Sequence, residues 1–241
     1  MHLKGQRILV IGGASGIGRA IAEGAIADGA NVVIASTNAE KLARAATEMG
    51  PSATTALINV ADEASVEHFF ADNGSFDHIA NTAGDWDFPP PGPFSQLDLA
   101  AAAKSLNVRY WGAIAVAKHG ATKLSAGGSY ILTGGMLAHV PAKGQALFTA
   151  LAGGIEFLTR GLAVDLAPVR INCVAPGLIE TEQWALLPEA YRARLLEGTK
   201  RQLLVRPGVP AEAAEAYLYC MRNAFVTGQV LQVEGGVALA R

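Results

Sequence analysis

The 241 residues fit one domain of ordinary α/β size, and 51% hydrophobic residues with 27 glycines suit a large buried sheet joined by tight turns. A formal net charge of −2 supplies no field for nucleic acid or an anionic membrane surface, so the expected partner is a small molecule. Cys173, in an apolar run, and Cys220, in a helical pattern, show neither metal-ligand spacing nor a disulfide framework. The first strand pattern starts within a few residues of Met1, and no uninterrupted apolar stretch has bilayer length, so a cytoplasmic location is expected.

In chain order, an apolar strand from Arg7 breaks into Gly12-Gly13-Ala14-Ser15-Gly16-Ile17-Gly18 and resumes at helical spacing. Ala30–Ala35 is a β-branched run, and Asn38–Met49 has helical periodicity stopped by Gly50-Pro51. Thr54–Val60 predicts a third strand, Glu63–Phe70 a short helix and Phe76–Thr82 a fourth strand running into Ala83-Gly84. A proline-rich loop, Asp85–Pro93, precedes one long helix from about Leu97 to Leu124. Ser129–Thr133 is the fifth strand, Leu147–Ala167 a helix, Val169–Ala175 a strand, and residues 182–206 a mixed, helical flap. A helix near Ala211–Met221, led in by Pro210, and a strand over Gln229–Val233 complete the chain. Strands alternating with helices predict a single-domain, Rossmann-type doubly wound parallel sheet of about seven strands, with helices on both faces and ligands at the carboxyl ends of the strands.

The glycine turn has a physical reading of its own. Gly12, Gly16 and Gly18 remove side chains where the chain reverses, so that backbone N–H groups and the start of a helix face an anion, here the pyrophosphate of a dinucleotide. Selection between NAD(H) and NADP(H) rests on the end of the second strand, where a carboxylate would accept from the ribose 2′-OH and repel a 2′-phosphate. That place reads Ala35-Ser36-Thr37-Asn38, with hydroxyls and no carboxylate, and Arg19 and Lys41 are candidates to add positive charge, so NADP(H) is favoured over NAD(H).

With these motifs in order, the chain resembles the short-chain dehydrogenase/reductase family from about Arg7 to Val237. Ile11-Gly12-Gly13-Ala14-Ser15-Gly16-Ile17-Gly18 is similar to the TGxxxGIG loop, with Ile11 in the threonine's place, and Asn81-Thr82-Ala83-Gly84 resembles NNAG. Asn107 stands where the family keeps an asparagine in the long helix. Arg170 to Gly177, followed by Thr181, resembles the segment that holds the nicotinamide, and Thr227 to Gly236 the family's last strand. The resemblance implies cofactor contacts from Gly12, Ser15, Gly16, Ile17, Gly18, Ser36, Thr37, Asn59, Val60, Asn81, Ala83, Gly84, Pro176, Gly177, Ile179 and Thr181. Asn59 takes the place of a common aspartate on the adenine, and it keeps an acceptor oxygen and an amide donor.

The resemblance also implies a serine, a tyrosine acid/base and a lysine, but the aligned positions are Gly135, Phe148 and Ala152. A phenyl ring has no exchangeable proton, and general acid–base help is typically worth about 10² to 10⁴ in rate, so alcohol–ketone chemistry by the family's route is expected to be severely impaired. Asn107 alone of the four is retained. Thr133, Thr149, Lys143 and Tyr110 are candidate substitutes, with Thr149 turned about 100° from Phe148 on a helix, and His139 is the first choice because imidazole titrates near neutrality. Trp86, His139, Phe148, Leu178 and Trp184, with Asp85, outline a largely apolar pocket for a bulky, weakly polar substrate.

The favoured function is therefore an oxidoreductase of non-standard mechanism. The alternatives are a catalytically inactive dinucleotide-binding sensor or assembly protein, and a non-redox enzyme such as an isomerase or lyase. A stripe of Ala150, Gly153, Gly154, Phe157 and Gly161 on one helix predicts close packing against a second copy, as a homodimer or homotetramer.

Overall fold

A computed structural model describes residues 3–84 and 92–240. Strands β1 (Arg7–Ile11), β2 (Asn31–Ser36), β3 (Ala53–Leu57), β4 (Phe76–Asn81), β5 (Leu124–Thr133), β6 (Arg170–Pro176) and β7 (Val230–Val233) form one seven-stranded sheet in the order β3-β2-β1-β4-β5-β6-β7. Every neighbouring pair is parallel. The chain moves outward from β1 to β3 and then returns to β4 on the other side. The β1–β4 boundary is therefore the switch point, where a crevice opens at the carboxyl ends of the strands.

Helices α1 (Gly16–Ala27), α2 (Ala39–Met49), α3 (Glu63–Asp72), α4 (Leu99–Leu106), α5 (Gly112–Gly120), α6 (Ala146–Asp165), α7 (Glu189–Thr199) and α8 (Pro210–Arg222) connect or flank the strands. The period of two along β1 splits the core between the two faces of the sheet. Leu9 and Ile11 join Phe69, Phe70, Val116 and Ile155, whereas Ile8 and Val10 join Ile21, Leu42, Tyr217 and Leu218. The side chains of Asn38, Asp62 and Asp98 accept from backbone N–H groups at the starts of α2, α3 and α4, which is why those helices begin where they do. Gly50, at φ 84°, ends α2.

Three expected elements differ. The long helix is not uniform: α4 passes at Asn107 into a π turn over Asn107–Trp111, in which Gly112 N–H donates to Asn107 O, before α5 resumes. β5 begins at Leu124 rather than Ser129, because a register shift opposite Phe76 and His78 accommodates the additional residues. β3 ends at Leu57, because Asn59 N–H donates to Ser65 Oγ and Ala61 N–H to Asn59 Oδ1, which turns the chain early. Residues 182–206 hold a 3-10 turn at Glu182–Leu186 and then α7.

Among the described residues α6 is long and apolar enough to cross a membrane by length and composition. It carries Glu156 and Arg160 within its span, and in this fold it packs along β6 and β5.

Candidate dinucleotide site and pocket

The loop between β1 and α1 is packed so closely that side chains are excluded from it. A Cβ on Gly18 would land on the carbonyl oxygen of Gly12, and one on Gly12 would lie 2.6 Å from Thr82 Oγ1. Gly12 has φ 84° and Gly16 φ 52°, a left-handed backbone that glycine adopts without strain. Thr82, which sequence reasoning left out of the site, fills the gap beside the loop, with its N–H and its Oγ1 both donating to Ile11 O at 2.9 Å.

The first N–H groups of α1 point out of this loop. Ser15, at the cap position, contributes no side-chain bond, and the first turn of α1 carries no acidic residue. Gly16 N–H donates instead to Glu182 Oε1 at 2.8 Å. A carboxylate thus takes up an N–H of the glycine loop, and the loop passes the test for an anion site: a cradle that a Cβ would fill, at a helix start already holding an anionic oxygen.

Around this centre, Ser36 Oγ accepts from Asn38 N–H at 3.3 Å, and Thr37 and Lys41 are exposed beside it. Arg19 does not contribute free charge here, because it pairs with Glu23 at 2.7 Å and Glu48 at 2.6 Å. Asn59 is exposed, and its Oδ1 accepts one bond from Ala61 N–H, which leaves the second lone pair and the amide donor facing outward. Val60 is buried beneath Gly112. The Asn81 side chain turns inward, its Nδ2 donating to Tyr130 OH and its Oδ1 accepting from Ala83 N–H, so it shapes the end of β4.

On the opposite wall Gly177 N–H donates to Val233 O and a Cβ there would meet Glu234 Cα at 2.7 Å, which forces the glycine after Pro176. Ile179 is buried and bridges to Gly208, and Thr181 Cγ2 would lie 3.2 Å from a Cβ on Gly16. The structure therefore brings Thr181 against the glycine loop. Ile17 and Ser15 are half-buried at the same edge.

In the expected catalytic region, a Cβ on Gly135 would have Ala152 Cβ as its nearest neighbour, at 3.9 Å. Phe148 is half-buried one turn before Ala152 on α6, and Asn107, at the start of the π turn, is exposed. The substitutes fare unequally. Thr133 Oγ1 is bonded to Asn81 O and to Tyr217 OH at 2.7 Å each, and the Tyr110 ring packs over Gly154 of α6, so both are committed to packing. Lys143 is exposed and Thr149 half-buried. His139 Nε2 lies 2.7 Å from Glu156 Oε1, and Glu156 is itself only 4% exposed. Leu178 packs near Gly198, and Trp184 is buried. Trp86 and Asp85 lie outside the described residues.

Sequence reasoning passed over three further residues. Glu156 is a buried carboxylate one turn beyond Ala152. The guanidinium of Arg109 lies against Gly84, where its Nη2 would clash with a Cβ, and its charge reaches Tyr217. The phenol of Tyr217 is buried, which pushes its pKa up, while the bond to Thr133 pulls the other way. A charged residue in the alanine-rich stretch before Trp111 was the one available signal for Arg109. Tyr217 gave none, since it falls on the apolar face of α8.

A family model described as Enoyl-(Acyl carrier protein) reductase matches residues 12–238. The chain belongs to the short-chain dehydrogenase/reductase family. A curated short-chain dehydrogenase/reductase, malC of Malbranchea aurantiaca, is 34% identical over 98% of this chain and 96% of its own. The solved structure of a MalC Reductase/Diels-Alderase from Malbranchea aurantiaca superposes with a TM-score of 0.88 at 31% identity, over 98% of each chain. A small-chain dehydrogenase in complex with NADPH gives 0.84 at 32% identity, over 98% of this chain and 100% of that one. The sheet, its switch point and the glycine loop are thus those of a short-chain dehydrogenase/reductase, an oxidoreductase family whose members bind nicotinamide cofactors.

Proposed function

We propose that this chain is an NADP(H)-linked oxidoreductase that works without the serine, tyrosine and lysine of its family, on a bulky, weakly polar substrate. The observation that carries the reading is the cluster of Gly135, Phe148 and Ala152. Where the resemblance puts the serine and the lysine, Gly135 has no side chain and Ala152 only a methyl group, which would lie 3.9 Å from a Cβ on Gly135, and Phe148 stands one turn before Ala152 on α6, beside a loop that fits a dinucleotide. When bound, the cofactor supplies or accepts a hydride at its nicotinamide ring. The chain's own part is to grip the phosphates at Gly16, to hold the nicotinamide end through Pro176, Gly177, Ile179 and Thr181, and to present an apolar wall at Phe148.

Such a wall excludes water but gives no proton to a developing alkoxide, which removes help worth about 10² to 10⁴ in rate. Substrates that take hydride without a proton from the protein fit this wall better: an iminium, or an alkene conjugated to a carbonyl. The absence of a carboxylate at Ser36, Thr37 and Asn38 supports NADP(H), as does the NADPH complex of a similar protein, and Lys41 is the cation left to meet a 2′-phosphate once Arg19 is paired. The similar MalC protein is a reductase and Diels-Alderase, which is in keeping with chemistry outside simple alcohol–ketone exchange.

The same reading includes self-assembly through α6. Phe157 is 70% exposed, and a Cβ on Gly153 or Gly161 would meet nothing within 4 Å, so that part of the stripe faces outward; Gly154 faces Tyr110 of the same chain. The test of function is NADPH oxidation by the purified protein with simple ketones, preformed iminium ions and enones. Turnover confined to the iminium or enone classes is expected. Ready ketone reduction, or tight NADPH binding with no turnover of any class, refutes the reading.

A further inference from the structure

Glu182 stands where the proposed cofactor's phosphates would be drawn. Its Oε1 accepts from Gly16 N–H, at the start of a 12-residue helix that has no acidic residue in its first turn and no side-chain bond from Ser15. The positive end of such a helix favours an anion. Here the chain supplies one from 166 positions away.

The turn that carries Glu182 is held on both sides. Before it, Ile179 is buried and bridged to Gly208, and Thr181 packs on Gly16. After it, Trp184 is 4% exposed and its N–H donates to Thr181 O. Glu182 itself is exposed, so its carboxylate is free to swing into water by side-chain rotation while Trp184 stays in place.

We infer that Glu182 is a built-in competitor for the dinucleotide phosphates: it closes the Glu182–Leu186 turn over the glycine loop and must swing away for the cofactor to bind. The inference rests on the dinucleotide reading and adds to it a residue that sets affinity. One N–H does not serve two anions equally well, and a phosphate placed beside Glu182 meets a like charge. The carboxylate therefore weakens binding of phosphate-bearing ligands and reoccupies the helix start once they have left.

The experiment compares the parent with Glu182→Gln and Glu180→Gln by titration with NADP+, ADP and adenosine. Glu180 is exposed, makes the same change in charge, and lies outside the loop contact. An exposed anion at a helix start corresponds to about a two- to fivefold change in equilibrium constant. Glu182→Gln is expected to bind NADP+ and ADP about two- to fivefold more tightly, to bind adenosine as the parent does, and to melt at a lower temperature when ligand-free. Glu180→Gln is expected to match the parent throughout. Unchanged or weaker NADP+ binding by Glu182→Gln, an equal gain in Glu180→Gln, or an equal gain for adenosine overturns the inference while leaving dinucleotide binding standing. Failure of all three proteins to bind NADP+ or ADP overturns the proposed function, and the competition with it.

Discussion

Replacing Gly18 by alanine sets two effects of opposite sign against each other. Gly18 lies in α1, where alanine is favoured over glycine by roughly 1 kcal/mol on helix propensity alone. The added Cβ, however, would fall on the carbonyl oxygen of Gly12, with Gly12 C at 2.7 Å and Thr82 Oγ1 at 2.6 Å. Two of these three atoms are backbone, in a turn whose φ of 84° at Gly12 leaves little freedom, so the cost belongs at the upper end of the roughly 1 to 3 kcal/mol typical of overpacking. The net expectation is a loss of about 2 kcal/mol. For a chain of this length that lowers Tm by about 4 to 8 °C. Gly161→Ala is the reference: it is also helical, its Cβ would meet nothing within 4 Å, and it is expected to gain about 0.5 to 1 kcal/mol. Thermal melts followed by circular dichroism over a dilution series separate chain stability from any contact between copies at α6. NADP+ titration of Gly18→Ala is expected to show at least about tenfold weaker binding, because the loop must open to admit the methyl group. A Gly18→Ala protein that melts at or above the parent, or binds NADP+ equally well, refutes the reading of the loop as a rigid cradle.

Restoring the family's groups with Gly135→Ser, Phe148→Tyr and Ala152→Lys together is expected to raise ketone reduction by about 10² to 10⁴. The serine has room, since the nearest atom to its Cβ is 3.9 Å away, and a restored protein that folds and binds NADPH without the gain counts against the mechanism. Phe157→Asp puts a charge on an exposed aromatic flanked by open glycines, and sedimentation is expected to show dimer or tetramer in the parent and monomer in the variant. A parent that is already monomeric rejects the α6 interface. For pH dependence, burial, followed by the charge of Arg170, holds His78 down at about 4. The unfolded chain takes up that proton near pH 6.5 and the folded one only near 4, so stability falls as pH drops through this window, by up to about 3 kcal/mol, and this group adds no slope above it. Urea midpoints from pH 7 to 4 are expected to fall more steeply in the parent than in His78→Asn, and equal slopes reject the assignment.

What the sequence disclosed depended on how local the cause was. The strand at Ile8–Ile11 was legible because four successive buried apolar residues serve both faces of a sheet, and the start of α2 because Asn38 caps it within three residues. The beginning of β5 was not, since Ser125-Ala126-Gly127-Gly128 reads as a turn, and it joins the strand only because Leu124 before it pairs with Phe76 and Ser129 after it with His78. The π turn at Asn107 has no residue pattern that distinguishes five residues from four between donor and acceptor. The site divides along the same line. Gly18 announced itself because the first atom its Cβ would meet, Gly12 O, lies six positions back, and Gly12 through its place in the glycine spacing, but the atoms that crowd Gly12 belong to Thr82, Gly84 abuts Arg109 and Gly177 abuts Glu234, all distant in sequence. A carboxylate following Thr181 reads in one dimension as a polar residue on a flap. Its meaning arises when the β6–α7 connection folds back over β1, and a helix start that asks for an anion finds one that the chain has already placed there. Affinity in such a site is a difference between two anions at one N–H, and neither glycine spacing nor the end of β2 reports on that difference.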